Sequence, residues 1–442
     1  MIGREQLEAL VQRALALSDA EQTQVSLNAG RSSLTRLAQN AIHQNVAERS
    51  CVISVKAVFG RRIGTASTTD ASEDGVRQVV ARACGIAKLS REDKKFVSLL
   101  RPPSEAYPRV AAYSERTAAF DEQQRAAAAA VLRDAAAAAG MQAAGVIQVQ
   151  ASERAVANTL GVSAYASQTQ AEANTVFMSD DSAGFAADHA TDVGMIDFAR
   201  LAETASAKCG ESRGADAVDA GEYTVILEPE AVGALLLFMV RVGFHHVLYR
   251  QGGSFLSRKL GRQVLGRNIT IWDDGTDPRG IPVPFDAEGA PKRKLVLFEN
   301  GVFRNMVYDS YTAAQDGRAS TGHAVPFVGF GAVPTNVFMQ PGEAGMDDLI
   351  GSVRRGLLIT RFHYTNLVNL RGVVLTGLTR DGTFLIEDGR IVRPVKNMRF
   401  THSALQAMRE VEMIGRDTAR LGMATLPALK IGRFTFTGQT GY

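Results

Sequence analysis

No hydrophobic run in this sequence is long enough to cross a bilayer. The longest, Ala231 to Val240, stops at Arg241 and falls well short of the roughly 20 apolar residues that a spanning helix needs. The start, Met1-Ile-Gly-Arg-Glu-Gln-Leu7, has an early acidic residue and no apolar leader segment, so the expected location is cytoplasmic and no membrane is an expected partner. Cysteine is scarce. Cys51, Cys84 and Cys209 are widely spaced and include no Cys-x-x-Cys, which argues against a disulfide framework and a zinc knuckle; each reads as a small buried side chain. Charge of either sign is nearly balanced, Lys+Arg 49 against Asp+Glu 46, and no basic cluster interleaves with aromatics, so nucleic acid is not an expected partner. A Gly-x-Ser-x-Gly elbow, a Walker loop and a dinucleotide fingerprint are all missing.

What the chain has is length and pattern. With 442 residues, 45% of them hydrophobic, two or three domains are expected, and either half can bury its own core. Leu7, Leu10, Val11, Ala14 and Leu15 share one helical face. Alternating runs at Thr23–Asn28, ending at Gly30, at Ser50–Phe59 and at Arg61–Ser67 read as strands of a curved sheet. Asp70 and Glu73 have capping-box spacing before a helix reaching about Leu89. The alanine-rich stretch Ser114–Ala139 reads as one long helix ending at Gly140. Residues 145–177 read as a meander of short strands, turning at Asn158-Thr-Leu-Gly161, and Asp197 is placed to cap a helix from Phe198 to Lys208. The polar, small-residue stretch Gly210–Gly221 is the expected boundary, giving domains 1–210 and 221–442.

The stretch from Gly221 to Gly322 holds the densest signals. Glu222-Tyr-Thr-Val-Ile-Leu227 favours a strand, and Ala231 to Val240 favours a helix entered through Pro229. Beyond it come Gly252-Gly-Ser-Phe255, Ile269-Thr-Ile-Trp-Asp-Asp-Gly275, Phe285-Asp-Ala-Glu-Gly289 and Ser320-Thr-Gly322. Asn300-Gly301 and Asp388-Gly389 signal β-hairpins, Ser403–Ile414 reads as a helix, and Lys430–Thr437 as a closing strand. In order and spacing these elements resemble the TldD/PmbA (TldD/TldE) family of zinc metallopeptidases and their partner subunits, weakly before Gly221 and strongly after it. The resemblance implies an α+β, two-domain fold: an N-terminal mixed sheet with helices and a C-terminal hairpin-rich, barrel-like antiparallel sheet.

Catalytic members of that family carry His-Glu-x-x-x-His on the helix after the strand. Aligned on Val225-Ile-Leu-x-Pro229 and Leu235-Leu236, those positions fall here on Leu237, Phe238 and Val242. None of the three has a lone pair to bind zinc or a base to activate its water. The family's C-terminal cysteine ligand, expected after Val411-Glu-Met-Ile-Gly-Arg-Asp417, is also missing. The resemblance therefore implies a metal-free subunit of TldE/PmbA type, with no cofactor in this chain and zinc in a TldD-like catalytic partner.

Other candidates remain for a cleft. His245 and His246 follow the degenerate helix; as neighbours on a helix they would point about 100° apart, which disfavours a shared metal. His323 after Ser320-Thr-Gly322 and His363 in Arg361-Phe-His-Tyr364 are further cleft candidates. His402 is expected at a helix start, His189 in a loop and His43 in a polar strand. Asp273-Asp274 and Asp286-x-Glu288 could bind a hard cation, yet in glycine turns Asp also serves its own backbone. The expected function is a noncatalytic subunit of a TldD-type complex acting on unstructured peptides or peptide precursors, with sheet edges after Gly221 offering strand addition. The alternatives are a stand-alone homodimeric peptide-binding scaffold and a peptidase with a relocated site.

Overall fold

The computed structural model describes residues 2–326 and 331–439. The first half runs α1 (Arg4–Ala16), β1 (Gln22–Ala38), β2 (Ala41–Phe59), β3 (Arg62–Thr68), α2 (Glu73–Leu89), α3 (Glu115–Ala118) and α4 (Glu122–Ala138). It continues through β4 (Gln142–Asn158), β5 (Ser163–Met178), β6 (Ala183–Ala190) and α5 (Phe198–Glu211). Its strands form one six-stranded sheet in the order β3-β2-β1-β4-β5-β6. The period-two alternation of β1 sends Val25, Leu27 and Ala29 against Leu7 and Val11 of α1 and Val76, Val79 and Val80 of α2. A second cluster packs Leu132 of α4 and Leu201 of α5 against Ile147 and Phe177. The helices thus cover one face of the sheet, and the polar positions of β1 face the other way.

The second half runs β7 (Gly221–Leu227), α6 (Pro229–Gly243), α7 (His246–Gln251), β8 (Ile271–Asp273), β9 (Leu295–Glu299), β10 (Val302–Phe303), α8 (Ser310–Gln315), β11 (Val337–Met339) and α9 (Met346–Gly351). It closes with β12 (Arg355–Asn369), β13 (Val374–Glu387), β14 (Arg390–Pro394), β15 (Met398–Ser403), α10 (Ala404–Arg409), β16 (Val411–Arg420) and β17 (Ala424–Gln439). These strands form an 11-stranded sheet in which β17 pairs with β7 as well as with β15. The path β17-β15-β13-β12-β7 therefore returns on itself, and the expected barrel-like closure is present. Buried apolar residues of α6, including Leu235, Leu236 and Met239, join the large core that this ring shares with Phe400, Leu429 and Phe434.

The α+β, two-sheet architecture agrees with the sequence reading, and several details differ. The first sheet, expected to be mixed, is antiparallel at its pairings; parallel pairs occur instead in the second, between β12 and β7 and between β11 and β17. Strand β1 runs straight through Gly30, whose missing Cβ would lie 2.9 Å from the Ala151 carbonyl oxygen, so that glycine permits close approach of β4. Ser72, not Asp70, caps α2 and accepts from Gly75 N–H. The alanine-rich helix breaks at Phe120 because Asp121 forms a capping box with Gln124 and starts a new helix. Residues 142–178 make two long strands rather than several short ones.

His189 lies on β6 and His402 on β15, neither in the expected loop or helix start. The expected helix Ser403–Ile414 ends at Arg409, since Val411 onward pairs with β17; tertiary pairing overrides local propensity there. The predicted strand–helix unit after Gly221, the Asp197 cap and both hairpins are observed, with Asn300, Gly301, Asp388 and Gly389 all at left-handed φ. Among the described residues no helix is long and apolar enough to cross a membrane.

Candidate functional site

Helix α6 begins with Pro229 in its first turn, where a missing N–H costs nothing. Of the three positions that the sequence resemblance sets against a metal-site motif, Leu237 is 45% exposed, Phe238 is half-buried against the core, and Val242 is buried. Hydrocarbon and aromatic carbon cannot ligate zinc, so the residues present do not fit that metal. Among the described residues no three His, Cys, Asp or Glu side chains are grouped to hold a metal ion.

The candidate histidines scatter. His245 is the N-cap residue of α7. His246 is buried, its Nε2 lies 3.3 Å from an Asp316 carboxylate oxygen, and its ring meets Tyr308 edge-on at 5.8 Å. Burial lowers its pKa, against the pull of Asp316. The Tyr308 hydroxyl also donates to Asp316 at 3.1 Å, and Arg250 pairs with the same carboxylate, so His246 is one member of an ion-pair cluster. His363 lies on β12 beside the exposed Tyr364. Of the four candidates His245, His246, His323 and His363, His246 alone lines the cleft on the first sheet described below.

His323 is fully buried. Its Nε2 is 2.9 Å from Asp273 Oδ1, and its Nδ1 is 3.0 Å from Thr321 Oγ1. Lys292 Nζ sits 3.5 Å from the same Asp273 oxygen, while Asp273 Oδ2 accepts the N–H groups of Thr335 and Asn336, each at 2.7 Å. Burial alone would raise the Asp273 carboxyl, but Lys292 and His323 outweigh it and hold the group well below the usual carboxylate range. This cluster joins β8 to the segment before β11. Asp273 is thus the centre of an ion cluster, whereas Asp274 does bind its own turn through Thr276.

A cleft of about 720 Å³ opens between the uncovered face of the first sheet and the loops around α7 and α8. Gln24, Ser26 and Asn28 of β1, Lys56 of β2 and Arg154 of β4 line its floor. These are the alternate positions to those packed on the helices. Val247, Glu288, Ser310 and Tyr311 belong to the opposite wall. The Tyr311 hydroxyl donates to Asp93 at 2.7 Å, and the Tyr107 hydroxyl to the Gly289 carbonyl at 2.8 Å, which ties the two walls together.

Acidic groups of that wall are engaged by the chain itself. Asp286 accepts the N–H groups of Glu288, Ala290 and Ala324, which is the turn role anticipated for it. Glu288 accepts from the Ser310 N–H and hydroxyl, each at 2.8 Å. Burial pushes its carboxyl up to about 7; Lys56 opposes this, and Asp286 and Asp309 add to it. The floor residues Asn28, Lys56 and Arg154 were not legible as a site, although the polar half of the β1 alternation was their signal.

Two family models match the chain: the PmbA/TldA metallopeptidase C-terminal domain over residues 220–438, and PmbA/TldA metallopeptidase domain 1 over residues 24–87. A metalloprotease from Methanothermobacter thermautotrophicus is 28% identical over 205 residues, 46% of this chain and 44% of its own length. A metalloprotease TldD homolog from Buchnera aphidicola subsp. Acyrthosiphon pisum is 30% identical over 203 residues, 45% of this chain and 41% of its own. The matched stretch spans under half the length of each of these curated relatives. The crystal structure of TldE from Thermococcus kodakarensis superimposes with a TM-score of 0.88 over 98% of this chain and 100% of that one, at 21% identity. That likeness is one of fold.

Proposed function

Because the chain belongs to the PmbA/TldD family of metallopeptidase proteins, we propose that it is a metal-free subunit of TldE type, acting beside a zinc-bearing TldD-type partner on unstructured peptides. The feature that supports this reading is α6, where Leu237, Phe238 and Val242, which the resemblance aligns with a zinc-binding motif, carry no ligating atom. The partner would supply metal and activated water, and this chain a wall of the peptide channel. The reading assigns the protein to the cytoplasm, where unpaired cysteines such as Cys51, Cys84 and Cys209 persist.

Strand addition has a candidate edge in the first sheet, besides the edges that β10, β14 and β16 leave in the second. The ring of the second half closes on itself. In the first sheet, β3 covers β2 only from Ile53 to Phe59. Among the described residues no strand pairs with the outer side of β2 from Ala41 to Val52, so its backbone groups are open to an extended peptide or a partner strand.

Metal content measured on tag-free protein, together with a peptide-cleavage assay with and without a catalytic homologue, tests the reading. The expected outcome is no stoichiometric zinc and cleavage only in the mixture. Stoichiometric zinc with cleavage by this chain alone overturns it.

A further inference from the structure

We propose that the cleft on the first sheet holds the carboxylate of a bound peptide, with Arg154 as its anchor and Lys56 as a second cation on the same floor. The proposal rests on the peptide-binding reading above and adds a chemical class to it.

Arg154 lies opposite Asn28 in the β1–β4 register, and its Nε donates to Asn28 Oδ1 at 2.8 Å. That bond fixes the plane of the guanidinium and leaves both terminal amino groups without a protein acceptor among the described residues. Burial lowers the pKa of Arg154, and the one acidic group acting against this is Asp286, through space. No hydrogen bond or ion pair joins Asp286 to it among the described residues, and the two Asp286 oxygens accept three backbone N–H groups. Arg154 is half-buried and lines the cleft, so its open donors face the space a ligand would occupy. A carboxylate reaching Nη1 and Nη2 satisfies them with charge-assisted geometry.

Lys56 lies opposite Gln24 in the β1–β2 register. It makes no hydrogen bond or ion pair among the described residues, and its charge is felt by Glu288. Gln24 and Asn28 are four positions apart on β1, about 13 Å along the strand. The floor therefore carries a cation towards each end, with Ser26 between them. Of the carboxylates opposite, Asp309 caps α8 and Glu288 is bound to Ser310, and among the described residues neither forms an ion pair with Arg154 or Lys56. The apolar side chains of Val52, Ile63, Phe96, Leu99 and Val247 also border the cleft. The expected ligand is a peptide segment that pairs a carboxylate with apolar side chains.

Two sources share this chemistry, a free C-terminus and an acidic side chain. A fluorescein-labelled hexapeptide of apolar residues is compared by anisotropy as the free acid, as the C-terminal amide, and as the amide with one internal Glu. This chain is used alone, so the result is independent of partner-supplied cleavage. The free acid is expected to bind saturably and the plain amide roughly tenfold to hundredfold more weakly. Recovery of affinity by the internal Glu supports the side-chain source; its failure, with the free acid bound, supports the C-terminus. R154M should cost the free acid the same factor, R154K part of it, and K56M a smaller part, each measured at a temperature where circular dichroism shows the variant folded. R154K and K56M keep the test open if R154M fails to fold. The proposal is overturned if acid and amide bind alike, if folded Arg154 variants bind as wild type, or if none of the peptides binds.

Discussion

Asp273 and Glu288 lie in the same glycine-rich region, both are buried, and folding leaves their carboxyls in opposite states. Asp273 meets Lys292 and His323 directly and takes two backbone N–H groups, so it stays ionised despite burial. Glu288 has a cation only at longer range and two acidic neighbours, so burial wins and its carboxyl titrates at about 7. Burial sets the penalty in both cases, and contact with a cation decides whether it is overcome. The first arrangement joins segments of the fold. The second leaves a protonatable group in the wall of a cleft.

The sharpest way to break the comparison is to remove the Asp273 charge. D273N leaves Lys292 and His323 around a neutral amide, and a broken buried pair costs about 3–5 kcal/mol. Urea unfolding should show this loss at pH 7, and a change below about 1 kcal/mol would mean that the cluster is not coupled to stability. Next comes Glu288. An unfolded Glu ionises near about 4.3, whereas the folded one does so at about 7. The folded state therefore holds the extra proton between those values, and the group's contribution falls as pH rises through that window. E288Q should match wild type near pH 4 and exceed it above pH 7, by on the order of 3 kcal/mol. Buried His402, lowered to about 4, pushes stability the other way on acidification. The difference between wild type and E288Q cancels it. Equal curves for the two proteins would refute the raised carboxyl.

Smaller effects refine the picture. K56M removes the cation that holds Glu288 down, so the midpoint of that stability difference should move to higher pH; an unmoved midpoint would remove Lys56 from the site. S310A deletes a hydroxyl donor to Glu288 and should cost about 1 kcal/mol above pH 7, measured by thermal unfolding.

Local rules read well where one residue dictates one geometry. Asn300-Gly301 and Asp388-Gly389 marked their turns because left-handed φ selects those residues, and Pro229 marked the entrance to α6. They failed where a distant partner decides, as at Val411, which pairs with Ile431 on β17. The same limit hid most of the candidate site. Arg154 and Lys56 come from different strands and meet Glu288 only through the packing of one half on the other. The Asp273–Lys292–His323 cluster likewise depends on β8 lying beside β11. The polar alternation Gln24, Ser26, Asn28 was visible in the sequence, but solvent and a cleft produce the same pattern.

The closure of the second-half ring also constrains how the chain acquires its shape during synthesis. Strand β7 pairs Leu227 with Leu429 and Val225 with Ile431 of β17, contacts between segments far apart in sequence, whose loop-closure cost slows folding. The six-stranded sheet is complete once Ala190 has emerged and can form on the ribosome while the ring still waits for its final strand. Until then β7 and β15 expose apolar edges, a species prone to misassembly. Chaperone dependence, if the protein has any, belongs to that interval.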